Sequence, residues 1–197
     1  ITVVVSDMDA YAPLVERAFA LRNIPVFCDA TRPILGHAAI DFVLSAVRFA
    51  DGLSVSDALR VVKSGYAGVS LDDAEQFENY LLRYGLYGSE LKEPFHVGEI
   101  PEAAERVRAA MTPALLRLRD GLGAKTAAEK VCAVYAYLVE MQFQQQLEAE
   151  ANALQAEGLS DEAQLYLQMW KTVSELLSQM YGILGSVATG RKEFAAL

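Results

Sequence analysis

Four side chains that could take part in catalysis or metal binding lie close together near the start of the sequence: Cys28, Asp29, Arg32 and His37. A cysteine nucleophile needs a thiolate beside a base and an oxyanion site, and no spacing here brings such groups together. The chain has two cysteines and two histidines, without the CxxC or Cys/His spacing typical of zinc sites. The sequence therefore favours a buried structural thiol at Cys28 and a capping or packing role for His37, and an enzyme that uses either residue is the minor alternative.

Two acidic stretches, 71–78 and 140–157, could suggest divalent-metal binding or acid–base chemistry. In the first, Asp72, Asp73 and Glu75 fall in the first turn of a predicted helix, where negative charge interacts favourably with the helix dipole. The second stretch has the pattern of a solvated helix face. The phosphate-binding patterns GxxxxGK[ST] and GxGxxG are absent from the sequence. We therefore expect no catalytic, cofactor-binding or metal-ligating residue in this chain.

The stretch ERVRAAMTPALLRLRD is the local concentration of positive charge, with Arg106, Arg108, Arg117 and Arg119. The whole chain has 17 basic and 26 acidic residues, a net charge of -9. Such a chain lacks the broad positive field with which proteins neutralise DNA phosphates or anionic lipids. We therefore predict that a phosphate contact, or an acidic partner surface, would lie at these four arginines.

The first 30 residues have the pattern of a strand, a helix and a second strand. ITVVVS and IPVFCD are short apolar runs, and YAPLVERAFALRN between them has apolar residues at helical spacing. One such βαβ unit is too small to form a domain by itself. After Pro33 the pattern is helical, so the predicted fold class is mainly α, a helical domain preceded by a short truncated βαβ segment.

Amphipathic periodicity predicts helices over 37–50, 55–64, 71–84, 102–120, 127–157 and 161–184, with a loop over 85–100. Helix starts are indicated by the capping residues Ser54, Ser70 and Thr126, the last forming a capping box with Glu129. Pro113 should break or kink the fourth helix, with Thr112 capping its second half. The last two helices should pack as a long antiparallel pair.

The cellular setting is also indicated by the sequence. No apolar run reaches the roughly 18 residues that a transmembrane helix needs, and the start lacks the order of a signal peptide. The two cysteines are far apart, which favours reduced, intracellular thiols. We expect a cytoplasmic protein with no membrane partner. The chain begins without an initiator methionine, which indicates an internal segment of a longer protein.

Several motifs, taken in order, resemble the AddB/RexB family, the B subunit of the bacterial ATP-dependent helicase/deoxyribonuclease. Members of that family have an IAILVRD-like strand, a nearby tyrosine, an IPYFID strand and HPLIEFI. UvrD-like helicases around motif IV have the same order of a strand, a helix, an IPY-type strand and entry into an inserted helical domain. This chain has ITVVVSD, Tyr11, IPVFCD and HAAIDFV at those places. The likeness continues through ENYLLRYGLYG and QMWKTVSELLSQM, so that it covers nearly the whole chain.

The resemblance implies that residues 1–35 are a truncated RecA-like segment, 36–185 an inserted helical domain with a long antiparallel helix pair, and 186–197 the return to the helicase-like core. It also implies a part in double-strand DNA break repair and recombination. In that family the UvrD-like A subunit is the partner in a heterodimer and DNA is the substrate. The family's ATP and magnesium site, its nuclease carboxylates and its iron–sulfur cysteines would lie outside residues 1–197.

One departure from the family pattern concerns Ser6, which stands where related helicases have the motif IV arginine. A nucleotide contact by that arginine cannot be carried over, and we expect a non-catalytic segment. The alternative from another functional class is an acidic, all-helical adaptor that binds proteins and has no role with DNA.

Overall fold

The computed structural model describes residues 2–27 and 34–197, apart from the side chain of Asp9. Cys28, Asp29 and Arg32 lie outside the described residues, so their interpretation stays a prediction. Contacts divide the chain into two compact units, Ile1–Ile34 and Leu35–Leu197. The assignment of these parts to a RecA-like segment and an inserted domain also stays a prediction.

The first unit is built around α1, Met8–Ala20. Asp7 caps this helix, because its carboxylate accepts a hydrogen bond of 3.0 Å from the Ala10 N–H. Residues 2–5 and 24–27, predicted as strands, have no β-ladder within the described residues. A β-strand forms only when a neighbouring strand pairs with its backbone. Apolar side chains of these segments are also not packed against other residues of this unit, as shown by Val4, which is 90% exposed. Of the predicted βαβ unit, only the helix is therefore seen.

The second unit is helical, and helix accounts for 70% of the residues that the structure describes in the two units together. Its helices are α2 (Ala38–Gly52), α3 (Val55–Lys63), α4 (Leu71–Tyr84), α5 (Glu102–Gly121), α6 (Ala127–Glu140), α7 (Phe143–Ala156), α8 (Ser160–Leu184) and α9 (Arg191–Ala195). A 3₁₀ turn, Gly88–Lys92, lies in the predicted loop. The mainly α class is confirmed, and most of the predicted helices end within about two residues of the observed ones.

The prediction of one helix over 127–157 is wrong, because the helix is interrupted between α6 and α7. Gln142 adopts a left-handed conformation there, with φ 52° and ψ 34°. This turn directs Phe143 into the core, where its ring lies 5.6 Å from Phe42 and 5.4 Å from Tyr66. Gln146 donates a 2.7 Å hydrogen bond to the carbonyl of Met141 at the end of α6. As a result α7 packs on α8, and α6 packs on α8 as a separate helix.

The predicted break at Pro113 is also wrong, since α5 continues through this residue. A proline inside a helix removes one hydrogen bond and costs about 3 kcal/mol. That cost is outweighed because α5 buries one face against α2, α4 and α6, with Met111, Leu115 and Leu118 almost fully buried. Thr112 is therefore not a cap, and its hydroxyl is buried without a hydrogen-bond partner.

Side-chain caps follow the sequence at two of the three predicted helix starts. Ser70 Oγ accepts a 3.2 Å hydrogen bond from the Asp73 N–H. Thr126 and Glu129 form the predicted capping box, in which Glu129 Oε2 accepts from the Thr126 N–H at 2.9 Å. Ser54 precedes α3 but makes no such bond, because its hydroxyl pairs with Ser56 at 2.7 Å. None of the helices in the described part of the chain has the length and apolarity needed to cross a bilayer.

Two glycines give a matched test of backbone conformation. Gly158, which follows α7, has φ +83°, whereas Gly182 lies within α8, and an added Cβ would meet no atom within 4 Å at either position. We expect Gly158→Ala to lower the free energy of unfolding by about 1 kcal/mol, because a left-handed L-residue is strained. Gly182→Ala should raise it by up to about 1 kcal/mol through helix propensity. Urea unfolding measures both, and changes of the same sign would contradict this explanation.

Candidate nucleic-acid interface

The four arginines predicted as a contact site all lie on α5 but do not form one surface. Arg106 and Arg108 are two residues apart, as are Arg117 and Arg119, so the members of each pair point about 200° apart around the helix. Each guanidinium has a partner inside the second unit. The structure therefore separates a group that is clustered in the sequence.

Arg106 joins α5 to α4. Its Nη2 lies 2.8 Å from Asp73 Oδ1 and its Nε lies 3.3 Å from Asp73 Oδ2, a two-point ion pair. Glu102, one turn earlier, is 3.8 Å away. The hydrogen bond from Arg106 holds the pKa of the Asp73 carboxyl below its ordinary value. The Arg106 side chain is 55% exposed, so it is accessible to solvent but already neutralised.

Arg108 is buried, with only 11% of its side chain exposed. Its Nε donates to both carboxylate oxygens of Glu105 at 2.9 Å, and its Nη1 donates to the carbonyl of Leu91 at 3.3 Å. Glu105 also accepts from the Phe95 N–H at 3.1 Å. These bonds attach the segment between α4 and α5 to the helix. The hydrogen bond from Arg108 lowers the pKa of Glu105, although partial burial acts in the opposite direction.

The remaining two arginines connect α5 to other helices. Arg119 Nη1 donates to the carbonyls of Ala50 and, at 2.8 Å, Asp51, and so satisfies acceptors at the C-terminal end of α2. Arg117 forms an ion pair with Glu140 on α6, and its side chain is 62% exposed. Arg108 and Arg119 thus have structural partners. A contact to DNA or a protein partner through any of the four arginines stays a prediction.

His37 has the capping and packing role that the sequence favours. Its Nδ1 accepts a 3.2 Å hydrogen bond from the Ala39 N–H at the start of α2. Its ring also meets the Tyr166 ring edge-on, with centroids 5.1 Å apart. Across residues 2–27 and 34–197, His, Cys, Asp and Glu side chains form no group of three or more that could hold a metal ion.

An exposed groove with several aromatic residues lies between α6 and α8. Its volume is about 580 Å³, and Cys132, Tyr135, Trp170 and Tyr181 contribute to its lining. The apolar stripe of α8 is the face expected to pack in the predicted antiparallel pair. Met169 is buried as expected, but the stripe is exposed near its end, where Ile183 is 76% accessible. The periodicity predicted the apolar face correctly, but it could not show where the covering helix ends.

Comparison with known proteins gives the same family that the motifs indicate. The whole chain aligns with curated proteins named as the B subunit of an ATP-dependent helicase/deoxyribonuclease, with 27% identity to those of Pelotomaculum thermopropionicum and Clostridium novyi. Identity to the Alkaliphilus oremlandii protein of that name is 23%. The resemblance to this helicase/deoxyribonuclease family is therefore confirmed.

These relatives are much longer than the chain. All of the chain is covered in the alignments, but it spans only 18% to 19% of the length of these relatives. No family model matches the chain. The similarity is therefore to a limited segment of those longer proteins.

The Glu105–Arg108 pair predicts a dependence of stability on pH. Because the folded-state pKa of Glu105 is lowered, its contribution is complete above the unfolded pKa of about 4.3 and is lost as the pH falls through the folded value. Glu105→Gln should lower the free energy of unfolding at neutral pH by about 1–3 kcal/mol. It should also reduce the loss on acidification, with the remainder due to Asp73 and Glu129, whose pKa values are also lowered.

Glu175→Gln is the matched control, because Glu175 pairs with Lys171 at 3.8 Å on the exposed surface of α8. This control should change the free energy of unfolding by no more than about 0.5 kcal/mol. Denaturant unfolding between pH 3 and pH 7, values that bracket the carboxylate pKa of about 4, measures both variants. Equal acid sensitivity in native protein and Glu105→Gln would show that this pair does not contribute as described.

The cap at His37 can be separated from its ring contact by two substitutions. Both His37→Asn and His37→Ala lose the contact with Tyr166, but asparagine retains a side-chain acceptor for the start of α2. We therefore expect the alanine variant to be less stable than the asparagine variant by about 1 kcal/mol. Thermal unfolding followed by circular dichroism compares them. Identical stabilities would argue against a capping role.

Proposed function

We propose that this chain is an internal, non-catalytic helical segment of a helicase/deoxyribonuclease B-type polypeptide that takes part in double-strand DNA break repair and recombination. The observation that carries the proposal is the alignment of the entire chain with a limited part of proteins of that name. At the family level, these relatives support a subunit of a DNA repair helicase–nuclease. Its activity, substrate and partners belong to the proposal.

The contacts of α5 support a scaffold role for the second unit. Its arginines connect α5 to α2, α4, α6 and the segment that carries Leu91. A helix whose side chains bond to several neighbouring helices fixes the relative positions of those helices. Its cationic side chains are then poorly suited to contacting an external ligand. We infer that the unit sets the geometry of the larger protein, while chemistry takes place elsewhere in it.

The cofactors that the resemblance implies do not fit this chain. An iron–sulfur cluster needs four ligands, usually cysteine thiolates, and the sequence has two cysteines. Of these, Cys132 is an exposed free thiol on α6. A nucleotide site of the P-loop type needs a glycine-rich loop that the sequence lacks. We therefore propose that ATP with magnesium, and the cluster, are held by other parts of the longer protein.

The first unit supports the RecA-like part of the proposal. Its α1 forms an apolar groove of about 500 Å³ with the segments on either side, lined by residues such as Val3, Tyr11, Val15 and Val26. Val4 and Phe27 are exposed. Apolar segments without a pairing neighbour are what remains when one edge of a buried parallel sheet is taken alone. We propose that strands of the helicase-like core pair with them.

A second candidate is the acidic helical adaptor with no DNA role. It is favoured by the net charge of -9 and by the exposed apolar end of α8, where Leu176, Tyr181 and Ile183 are accessible. The two candidates differ in what loss of the gene would do to DNA repair. In the first, the UvrD-like partner of the heterodimer and DNA are bound; in the second, the partners are proteins only.

Disruption of the gene that encodes this chain tests the proposal in cells. We expect reduced survival after agents that cause double-strand breaks, and loss of ATP-dependent DNA degradation in extracts. The complete gene should restore both, whereas a copy without residues 35–197 should restore neither. The purified chain itself should neither hydrolyse ATP nor cleave DNA. Unchanged survival after disruption would favour the adaptor, and either activity in the purified chain would contradict a non-catalytic role.

A further inference from the structure

The tertiary structure brings together four cationic residues from two distant parts of the sequence. Lys125 lies two residues before α6 and Lys130 in its first turn, and Arg191 and Lys192 lie at the start of α9. The two segments are joined by a β-bridge between Thr126 and Ala188 and by a 3.2 Å hydrogen bond from the Thr189 N–H to the Lys125 carbonyl. We call these four residues the α6–α9 basic cluster.

The guanidinium of Arg191 lies across this junction, against the loop between α5 and α6. A Cβ placed on Gly123 would be 3.2 Å from Arg191 Nη2, so the guanidinium lies beside this glycine. Lys125 and Lys192 are exposed, and Arg191 is partly exposed. The junction therefore presents three solvent-accessible cations beside a loop that has no bulky side chain at Gly123.

The cluster differs from Arg106, Arg108 and Arg117 of α5 in forming no ion pair in the part of the chain that the structure describes. Within the described residues, no ion pair joins any of its four cations to a carboxylate, whereas Arg106, Arg108 and Arg117 are all paired. Nearby Glu129 and Glu193 accept hydrogen bonds from backbone N–H groups at the starts of α6 and α9, at 2.9 and 2.7 Å. Asp120, which precedes the loop, is the other carboxylate in these segments.

Buried donors strengthen the local positive potential. Lys130 is 1% exposed, and its ammonium donates to the backbone carbonyl of Ala124. Arg191 Nε is buried without a hydrogen-bond partner, as is the hydroxyl of Thr189. A buried cation that forms no ion pair, and a buried donor that forms no hydrogen bond, are both unfavourable, so an anion at the surface of this junction would lower the electrostatic energy.

The N-terminal end of α6 does not itself provide the anion site. Its first backbone donors are occupied, since the N–H groups of Ala127 and Ala128 donate to Val187 and Gly185 at 2.9 and 3.1 Å. The Glu129 N–H donates to the Thr126 hydroxyl. An anion would therefore be held by the cationic side chains and not by the helix terminus.

We propose that Lys125, Arg191 and Lys192 form a surface that contacts the phosphate backbone of single-stranded DNA, with Lys130 as a buried positioning residue. This inference rests on the proposed function, which supplies DNA as the polyanion. The net charge of -9 keeps the contact local, because the rest of the chain repels phosphate. The contact would be independent of base sequence, as phosphate contacts are.

The test is the binding of a fluorescently labelled oligothymidine to the 197-residue chain, followed by anisotropy across a salt series. Three phosphate contacts predict a slope of about -2 for the logarithm of the association constant against the logarithm of salt concentration. Raising salt from about 50 to 200 mM should then weaken binding about 20-fold. The double variant Lys125→Gln/Lys192→Gln should bring the slope to about -0.7 and weaken binding about 50-fold at about 50 mM salt.

The matched control is Arg106→Gln/Arg117→Gln, which removes the same charge from exposed positions where each arginine is already paired. It should retain the native slope. Arg191→Gln removes the third charge and should weaken binding. Arg191→Lys keeps the charge and should retain most of the binding, so the comparison separates loss of charge from misfolding. Circular dichroism verifies the helix content of every variant.

Three results would overturn the inference. In the first, the native chain binds, and the size of the salt slope decreases in Arg106→Gln/Arg117→Gln but not in Lys125→Gln/Lys192→Gln. This result would place the contact on α5 and leave the proposed function intact. The second is the absence of salt-dependent binding by the native chain. In the third, polyglutamate binds through Lys125 and Lys192 and oligothymidine does not. This result would indicate an acidic protein partner. Survival in the gene-disruption experiment remains a separate measure of the proposed function.

Discussion

Burial of one face of α5 is the interaction on which the helical unit most depends. This helix packs against α2, α4, α6 and the 3₁₀ turn, and Val107, Met111, Leu115 and Leu118 are each at most 1% exposed. Full burial of such a side chain contributes about 1.5–3 kcal/mol, so together these residues outweigh the roughly 3 kcal/mol that Pro113 costs. The helix stays continuous because its neighbours cover it.

The central position of α5 also determines which groups its positively charged side chains bond to. An arginine on a helix with neighbours on several sides meets carboxylates and carbonyls of those neighbours, and Arg108 and Arg119 are used in this way. Charges at the margin of the unit have fewer neighbours, as at Lys125 and Lys192. The density of charge along the sequence therefore does not give the electrostatic field, which depends on which charges are paired.

The exposed apolar surfaces have a common physical origin. In the first unit Val4 lacks a pairing strand, and at the end of α8 Ile183 lacks a covering helix. Soluble proteins rarely leave such groups uncovered without a binding role. The curated relatives are much longer than this chain, which spans 18% to 19% of their length, and the proposed function places the covering groups in other parts of a longer protein.

The sequence by itself determined the fold class, most helix boundaries, the caps at Ser70 and Thr126, and the resemblance to the helicase/deoxyribonuclease family. These features depend on local hydrogen bonds and on apolar periodicity, which neighbouring residues are sufficient to specify. Tertiary structure decided the left-handed turn at Gln142, because burial of Phe143 against Phe42 and Tyr66 required it. It also decided which cations of the described residues form ion pairs, because the partners of Arg106 and Arg119 and the position of Arg191 beside Gly123 involve residues far apart in the chain.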